Sequence, residues 1–179
     1  EESKLLRNKI ENIREIVASQ QQYASMGIEE DLDINQLLLD AERVLTDAFN
    51  QPKVAVVNDL GDLPLVAGQK SKLFQIFINL IKNAIEALAT QPDHPTLRVR
   101  SRLEGEWIQI EIIDNGHGIQ PEHLKNIFTY GFTTKKEGHG FGLHFCANAM
   151  NEMGGNISVS SEGTGKGCSF NLKIPLKHP

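Results

Sequence analysis

Five polar residues stand at a spacing that could bind a metal ion and phosphate. On a helix turning about 100° per residue, Gln75, Asn79, Lys82, Asn83 and Glu86 share an arc of roughly 100°. The residues around them are apolar. Asn is a poor helix-interior residue, because its side chain competes for the backbone. Carboxamide oxygens are hard ligands that suit Mg²⁺, and amide N–H groups can donate to phosphate oxygens. A solvated face on a half-buried helix explains the stripe equally well when it is taken alone. Asp114 is the second such residue. It shares parity with Ile108, Ile110 and Ile112, so it points to the apolar side of a strand end, with Gly116 and Gly118 following. An inward carboxylate there can accept a hydrogen bond from an exocyclic amine such as adenine's. Taken alone, an Asp capping a turn is the simpler reading, Asp-Asn-Gly being good turn chemistry.

Two glycine clusters follow. Gly138-His139-Gly140-Phe141-Gly142 opens a helix, after Thr133, Thr134, Lys135 and Lys136. Spaced glycines leave backbone N–H groups open to an anion, and a helix N-terminus adds a favourable dipole. The cluster follows no strand and opens no long βαβ unit, so it is neither a dinucleotide fingerprint nor a P-loop. Gly163-Thr164-Gly165-Lys166-Gly167 leads into Cys168, Phe170, Leu172 and Ile174, which share the inward parity. For Gly163 and Thr164 a plain hairpin loop is the simpler reading.

The elements that must position these residues are legible from periodicity. Leu6, Ile10, Ile13 and Val17 form a heptad seam continuing to Ala24, in a helix that needs partners and stops near Gly27. Asp33 and Gln36 form a capping-box-like pair opening a helix with Leu37, Leu38, Ala41, Val44, Leu45 and Ala48 on its apolar face. Pro52 closes it and residues 54–57 read as a strand. Residues 71–88 form the most apolar helix and should be largely buried. Residues 96–103 and 107–114 alternate as a hairpin turning at Glu104-Gly105, with one face inward and one wet. Pro121 starts a short helix, residues 129–139 read as a mobile loop, a helix runs from about Gly140 to Met153, and strands at 156–161 and 168–174 follow. The fold class is α+β: a two-layer α/β sandwich whose mixed, mostly antiparallel sheet is covered by helices on one face, preceded by a helix.

Composition bounds the function. The 179 residues suit one compact domain with an appendage. A net charge of −5 argues against a nucleic-acid binder, which would present a basic face. No apolar run is long enough to span a bilayer and the polar start is unlike a signal peptide, so a cytoplasmic location is expected. Cys146 and Cys168 lack metal-ligand spacing and read as free thiols.

In this order, the motifs are specific. The sequence over residues 33–176 resembles the histidine-kinase ATP-binding family, related to the gyrase, Hsp90 and MutL ATPases, whose fold is the Bergerat type. Asn79-Leu-Ile-Lys-Asn83-Ala-Ile-Glu86 resembles its N box, and Asp114-Asn-Gly-His-Gly118-Ile119 its first glycine box. Ile127-Phe128-Thr-Tyr-Gly-Phe-Thr133-Thr134-Lys135 resembles the F box and lid, Gly138 to Leu143 the second glycine box, and Gly165-Lys-Gly167-Cys168 the last. The resemblance implies that Asn83 coordinates Mg²⁺, that Asn79 assists, and that Asp114 receives the adenine amino group. Lys82 and Lys135 would contact phosphate, and Asn79, Asn83 and Lys135 would carry the catalytic roles. It further implies that ATP or ADP lies against Gly116, Gly118, Ile119, Phe128, Thr133, Thr134, Gly138, His139, Gly140, Phe141, Gly142, Leu143 and Cys168.

His139 stands where Thr is commonest, and Cys168 where Ser or Thr often joins the adenine hydrogen bonds. None of the six histidines lies in the amino-terminal segment, where the family's phosphoacceptor hairpin would be. Residues 1–27 resemble the second helix of that hairpin, and 28–179 the catalytic ATP-binding domain. Implied partners are an acceptor helix, a response-regulator receiver domain and a second copy in the full protein. Two rival readings are a gyrase/MutL-type ATPase and a nucleotide-free dimeric interaction module. The first uses a Glu where Asn79 stands; the second would not need Asn83, Asp114 and Gly142 intact.

Overall fold

The computed structural model describes residues 29–49, 53–89, 93–135 and 138–176. The amino-terminal heptad seam, Gly27, Pro52, Lys136 and His178 lie outside the described residues.

The element order is β1 (Glu30–Leu32), α1 (Ile34–Val44), a 3₁₀ turn (Thr46–Phe49), β2 (Ala55–Leu60), β3 (Val66–Gly68), α2 (Lys70–Leu88), β4 (Thr96–Glu104), β5 (Trp107–Asp114), α3 (Pro121–Leu124), α4 (Gly142–Glu152), β6 (Asn156–Ser160) and β7 (Cys168–Pro175). A five-stranded sheet runs β2-β4-β5-β7-β6. Its β2–β4 pair is parallel and its other pairs are antiparallel. This agrees with the mixed, mostly antiparallel sheet expected from the sequence. The small β1–β3 sheet was not legible in it, because strands of three residues are too short to show a period.

Strict alternation sorts the sheet faces. Leu97, Val99, Ile108, Ile110, Ile112, Phe170, Leu172 and Ile174 are buried beneath the helices. Arg98, Arg100, Arg102, Gln109 and Glu111 take the opposite parity. There Asp59 sits 3.7 Å from Arg100 and 2.5 Å from Arg102, exposed pairs of small energetic weight. Ser101 is a polar residue on the buried row. Its hydroxyl donates to Asn35 Oδ1 at 2.7 Å and accepts from the Gly61 N–H at 3.2 Å, so its burial leaves nothing unmet.

The helices follow their apolar faces. In α1, Ile34, Leu37, Leu38 and Ala41 are buried. The Gln36 N–H donates to Asp33 Oδ1 at 3.0 Å, as the cap requires. The reciprocal half of the capping box does not form, because the Gln36 side chain donates instead to Asp40 at 2.9 Å. Val44 is 66% exposed rather than inward, since α1 ends there and the chain turns into the 3₁₀ segment. Helix α2 buries Leu73, Ile76, Phe77, Leu80, Ile81, Ala84, Ile85 and Leu88 and packs against α1, α4 and β5. Helix α4 begins at Gly142 rather than Gly140, whose φ of +70° is not helical. The β4–β5 turn comprises Gly105 and Glu106, one residue later than expected, because Glu104 still pairs with Trp107. Among the described residues no helix is long and apolar enough to cross a membrane.

Candidate nucleotide-binding site

The site lies along the carboxyl-terminal half of α2, where two loops meet the helix. Asp114 ends β5 on its buried face and is 4% exposed. Its Oδ1 accepts the Gly116 N–H at 2.8 Å, and its Oδ2 accepts the thiol of Cys168 at 2.9 Å. Cys168 is its register partner on β7, so the shared inward parity read from sequence brings the two into contact. Burial pushes the Asp114 carboxyl above its ordinary value of 3.8, and the Cys168 and Gly116 donors pull it back in part. The Cys168 thiol is pushed up by burial and then by the charge of Asp114. It therefore stays a thiol and remains a donor.

The first glycine loop is fastened on both sides. His117 N–H donates to the Ala87 carbonyl at 3.2 Å, which seats the loop on the end of α2. Gly165 N–H donates to His117 O at 2.6 Å, and Gly167 N–H to Gly116 O at 3.1 Å. The loop at 163–167 is thus a strap across its neighbour, more than a plain hairpin turn. Gly118 shows how close the approach is. Its φ is +72°, and a Cβ there would lie 2.1 Å from the Gly163 carbonyl oxygen. Ser161, absent from the residues singled out by sequence, stitches the two loops together. Its hydroxyl accepts from Ile119 N–H at 3.0 Å and donates to Gly167 O at 2.6 Å. A single Ser at a strand end carries no periodic or motif signal that would have found it.

One turn earlier on α2 lies a cluster of oxygens around a cation. Lys135 Nζ donates to Asn83 Oδ1 at 2.8 Å and pairs with the Glu86 carboxylate. A further turn back, Asn79 Oδ1 accepts from Gln75 at 3.0 Å, and its Nδ2 donates to Gly142 O at 3.4 Å. Asn79 therefore ties α2 to the start of α4. The three stations, at Ala87, Asn83 and Asn79, span eight residues, about 12 Å of helix. The ammonium of Lys135 stands in the place of a cation, and it is held by a carboxamide and a carboxylate oxygen. That donor set fits a hard metal ion. Among the described residues there is no group of three or more His, Cys, Asp or Glu side chains able to hold a metal by themselves. Any hard cation here would complete its shell with water or phosphate oxygens.

The loop from Thr129 to Lys135 runs over this cluster. Thr133 Oγ1 accepts the Lys135 N–H at 3.1 Å, and Gly131 N–H donates to Gly140 O at 3.2 Å. Tyr130, 68% exposed, packs on Phe141 at 4.9 Å and edge-on to His144 at 5.3 Å, while His139 stacks on Phe141 at 6.1 Å. Phe128 is half-buried against the core, and its carbonyl pairs with His144 Nδ1 at 3.0 Å. Ile119 and Leu143 also pack on the core. Gly138 lies against Thr133, where a Cβ would meet Oγ1 at 2.4 Å. Lys82 and Thr134 are exposed, and neither is drawn into the cluster. Tyr130, His144 and Glu86 were not among the site residues singled out, although Glu86 belonged to the polar stripe.

Comparison with known proteins identifies the fold and the family. Residues 68–178 match the family described as "Histidine kinase-, DNA gyrase B-, and HSP90-like ATPase". The sensor histidine kinase ZraS of Escherichia coli (strain K12) is 33% identical over 146 residues. That match takes in 81% of this chain and 30% of ZraS, so the chain spans about a third of that relative's length. The catalytic domain of the histidine kinase ThkA, in a nucleotide-free form, superposes with a TM-score of 0.75 at 23% identity, covering 84% of this chain and 97% of that one. ThkA in complex with the response regulator TrrA superposes with a TM-score of 0.76 at 20% identity, over 97% of this chain and 50% of that one. With more than half of its length matched, the chain belongs to the family of histidine kinase-, DNA gyrase B- and HSP90-like ATPases.

Proposed function

We propose that this chain is the ATP-binding catalytic part of a sensor histidine kinase. It would hold Mg-ATP along α2 and present the γ-phosphate to a phosphoacceptor His on a separate segment. The observation that carries this reading is a buried, donor-backed Asp114 whose glycine loop is anchored at Ala87, one helical turn from the cation cluster at Asn83. The first suits the amino group of adenine, the second the charge of a metal-bound polyphosphate.

In this reading Asp114 accepts the adenine amine with lone pairs left by Gly116 and Cys168, and the two strapped glycine loops exclude water around the base. Asn83 is the metal ligand, and Asn79, Lys82, Thr133, Thr134 and Lys135 line the phosphates. The backbone of residues 138–143 offers N–H groups at the start of α4, whose first turn has no side-chain cap. Bound Mg²⁺ supplies neutralisation of phosphate charge. The protein's part is then positioning and electrostatics, which is what phosphoryl transfer asks of it. Asn79 offers no carboxylate to activate water, and it is engaged with Gly142; this favours transfer over hydrolysis. Residues 1–27 would be the second helix of a dimerisation hairpin, with 28–179 as the catalytic domain. The partners would be the acceptor helix, the receiver domain of a response regulator, as ThkA is found in complex with the response regulator TrrA, and a second copy in the full protein. A cytoplasmic location follows from the same reading.

Calorimetry with ADP tests the proposal. Wild type should bind with Mg²⁺ and more weakly in its absence, and Asn83→Ala should lose that Mg²⁺ dependence. Absence of any binding heat in wild type would remove the reading.

A further inference from the structure

Glu86 has no role in the chemistry above, yet its carboxylate pairs with Lys135 beside Asn83. The two side chains come from elements far apart in sequence, α2 and the loop before α4. Residues 83 and 86 stand three apart on one helix face, so their oxygens converge on a single point, and Lys135 Nζ occupies it. The local backbone supports that placement. Thr133 Oγ1 accepts the Lys135 N–H at 3.1 Å, and the Lys135 carbonyl accepts Gly138 N–H at 3.3 Å, so both backbone groups of the lysine are held. Side-chain exposures of 44% for Lys135 and 39% for Glu86 leave the pair partly open to water, as an exchangeable contact must be.

We infer that Glu86 is a positioning residue that, with Asn83, holds the Lys135 ammonium as an internal cation. The loop is thereby tethered across α2 until a divalent cation takes the ammonium's place. The argument is one of charge. A carboxylate and a carboxamide oxygen at one point bind one cation at a time, and an ammonium and a metal ion cannot share it. With metal and nucleotide bound, Asn83 and Glu86 would face the metal, and Lys135 would be released to phosphate oxygens as its new acceptors. Lys135 thus has two stations, and Glu86 defines the first. The inference rests on the proposed nucleotide reading for its second station only.

The test uses the whole chain without nucleotide. Lysines are acetylated by a limiting amine-reactive reagent and read by mass spectrometry, with exposed Lys125 as the internal reference. Glu86→Gln should raise the Lys135 labelling rate, relative to Lys125, by roughly two- to fivefold, the scale of a partly exposed ion pair. Hydrogen exchange of the 129–135 segment should quicken in the same variant. Exchanging the charges, with Glu86→Lys and Lys135→Glu together, should restore slow exchange. Mn²⁺ titrated alone and followed by its spin-resonance signal should bind Lys135→Met roughly two- to fivefold more tightly than wild type. Unchanged Lys135 labelling and loop exchange in Glu86→Gln would overturn the tether, and equal Mn²⁺ binding would overturn the competition. ADP calorimetry on the same samples separates the two claims. Wild type that binds no ADP but labels as expected sinks the nucleotide reading and leaves the tether standing.

Discussion

Asp114 spends folding free energy to keep a carboxylate out of water. Its carboxyl lies above 3.8 because burial outweighs the two donors that favour the charged form. In the folded chain the proton is held more tightly than in the unfolded one. The associated stability is therefore present below the ordinary value and is lost as pH rises through the folded one. Asp114→Asn removes the titration. Melting temperatures of the two proteins should converge at the acid end and diverge as pH rises, with the variant the more stable. Adenine nucleotide affinity should move the other way. Removing a hydrogen-bonded charge from a buried site costs about 1.5–3 kcal/mol, or roughly ten- to a hundredfold in Kd. A variant that loses both stability and binding would mean that Asp114 is a structural turn residue after all.

The two cysteines give a second residue-scale expectation. Burial pushes the Cys146 thiol up to about 12 from 9.0, and Cys168 is shifted further in the same direction by burial and by Asp114. For Cys146 that lowers the thiolate population about a thousandfold at neutral pH. Neither thiol of the native chain should react promptly with a chromogenic disulfide reagent, and both should react once denaturant is added. Prompt reaction of Cys168 in the native state would show that it is not donating to Asp114.

At the scale of elements, the two glycine loops act as one piece. Gly165 and Gly167 donate their backbone N–H groups to His117 and Gly116, the Ser161 hydroxyl takes the Ile119 N–H, and the Gly163 carbonyl faces Gly118, so a side chain added at the contact has nowhere to go. Gly118→Ala meets both the left-handed φ and the Gly163 carbonyl. The combined strain is about 2–4 kcal/mol, or a fall of roughly 4–16 °C in Tm. Thermal denaturation measures it directly, and an unchanged Tm would show that the strap can open without cost.

Which parts of this were legible in the sequence follows from the range of the interaction. The polar stripe of α2, the inward parity of Asp114 and Cys168, and the Asp33 cap are local patterns, and the structure realises each. The Lys135–Glu86 pair, the Ser161 stitch and the β1–β3 ribbon join residues far apart in the chain, and periodicity says which way a residue faces but not what it meets. The capping box failed for a local reason, since Gln36 had a second acceptor in Asp40. Gly140 misled because a glycine before a helix and one inside it look alike in sequence; only its φ of +70° separates them.

At the scale of the whole molecule, the proposed reading has the site present a phosphate to a group on another segment. His144, the histidine nearest the loop aromatics, has both ring nitrogens engaged, Nδ1 with the Phe128 carbonyl and Nε2 with Asn148 at 3.0 Å. With both nitrogens occupied by protein groups, neither is turned to an incoming phosphate. His117 is likewise engaged through Nδ1 with the Gly118 carbonyl at 2.7 Å. No histidine occurs in residues 1–27. The chain should therefore bind nucleotide as a unit without accepting its phosphate. With ADP at 100 times Kd, binding should add about 2.7 kcal/mol to stability. Melting would then rise by roughly 5–11 °C. With γ-labelled ATP and Mg²⁺, the isolated chain should carry no stable label. Added separately, a hairpin bearing an acceptor His from a sensor kinase should become labelled, and Asp114→Asn should slow that transfer roughly ten- to a hundredfold below saturation. Stable label on this chain, held through denaturing electrophoresis at alkaline pH, would place the acceptor here and overturn the division of labour between two segments.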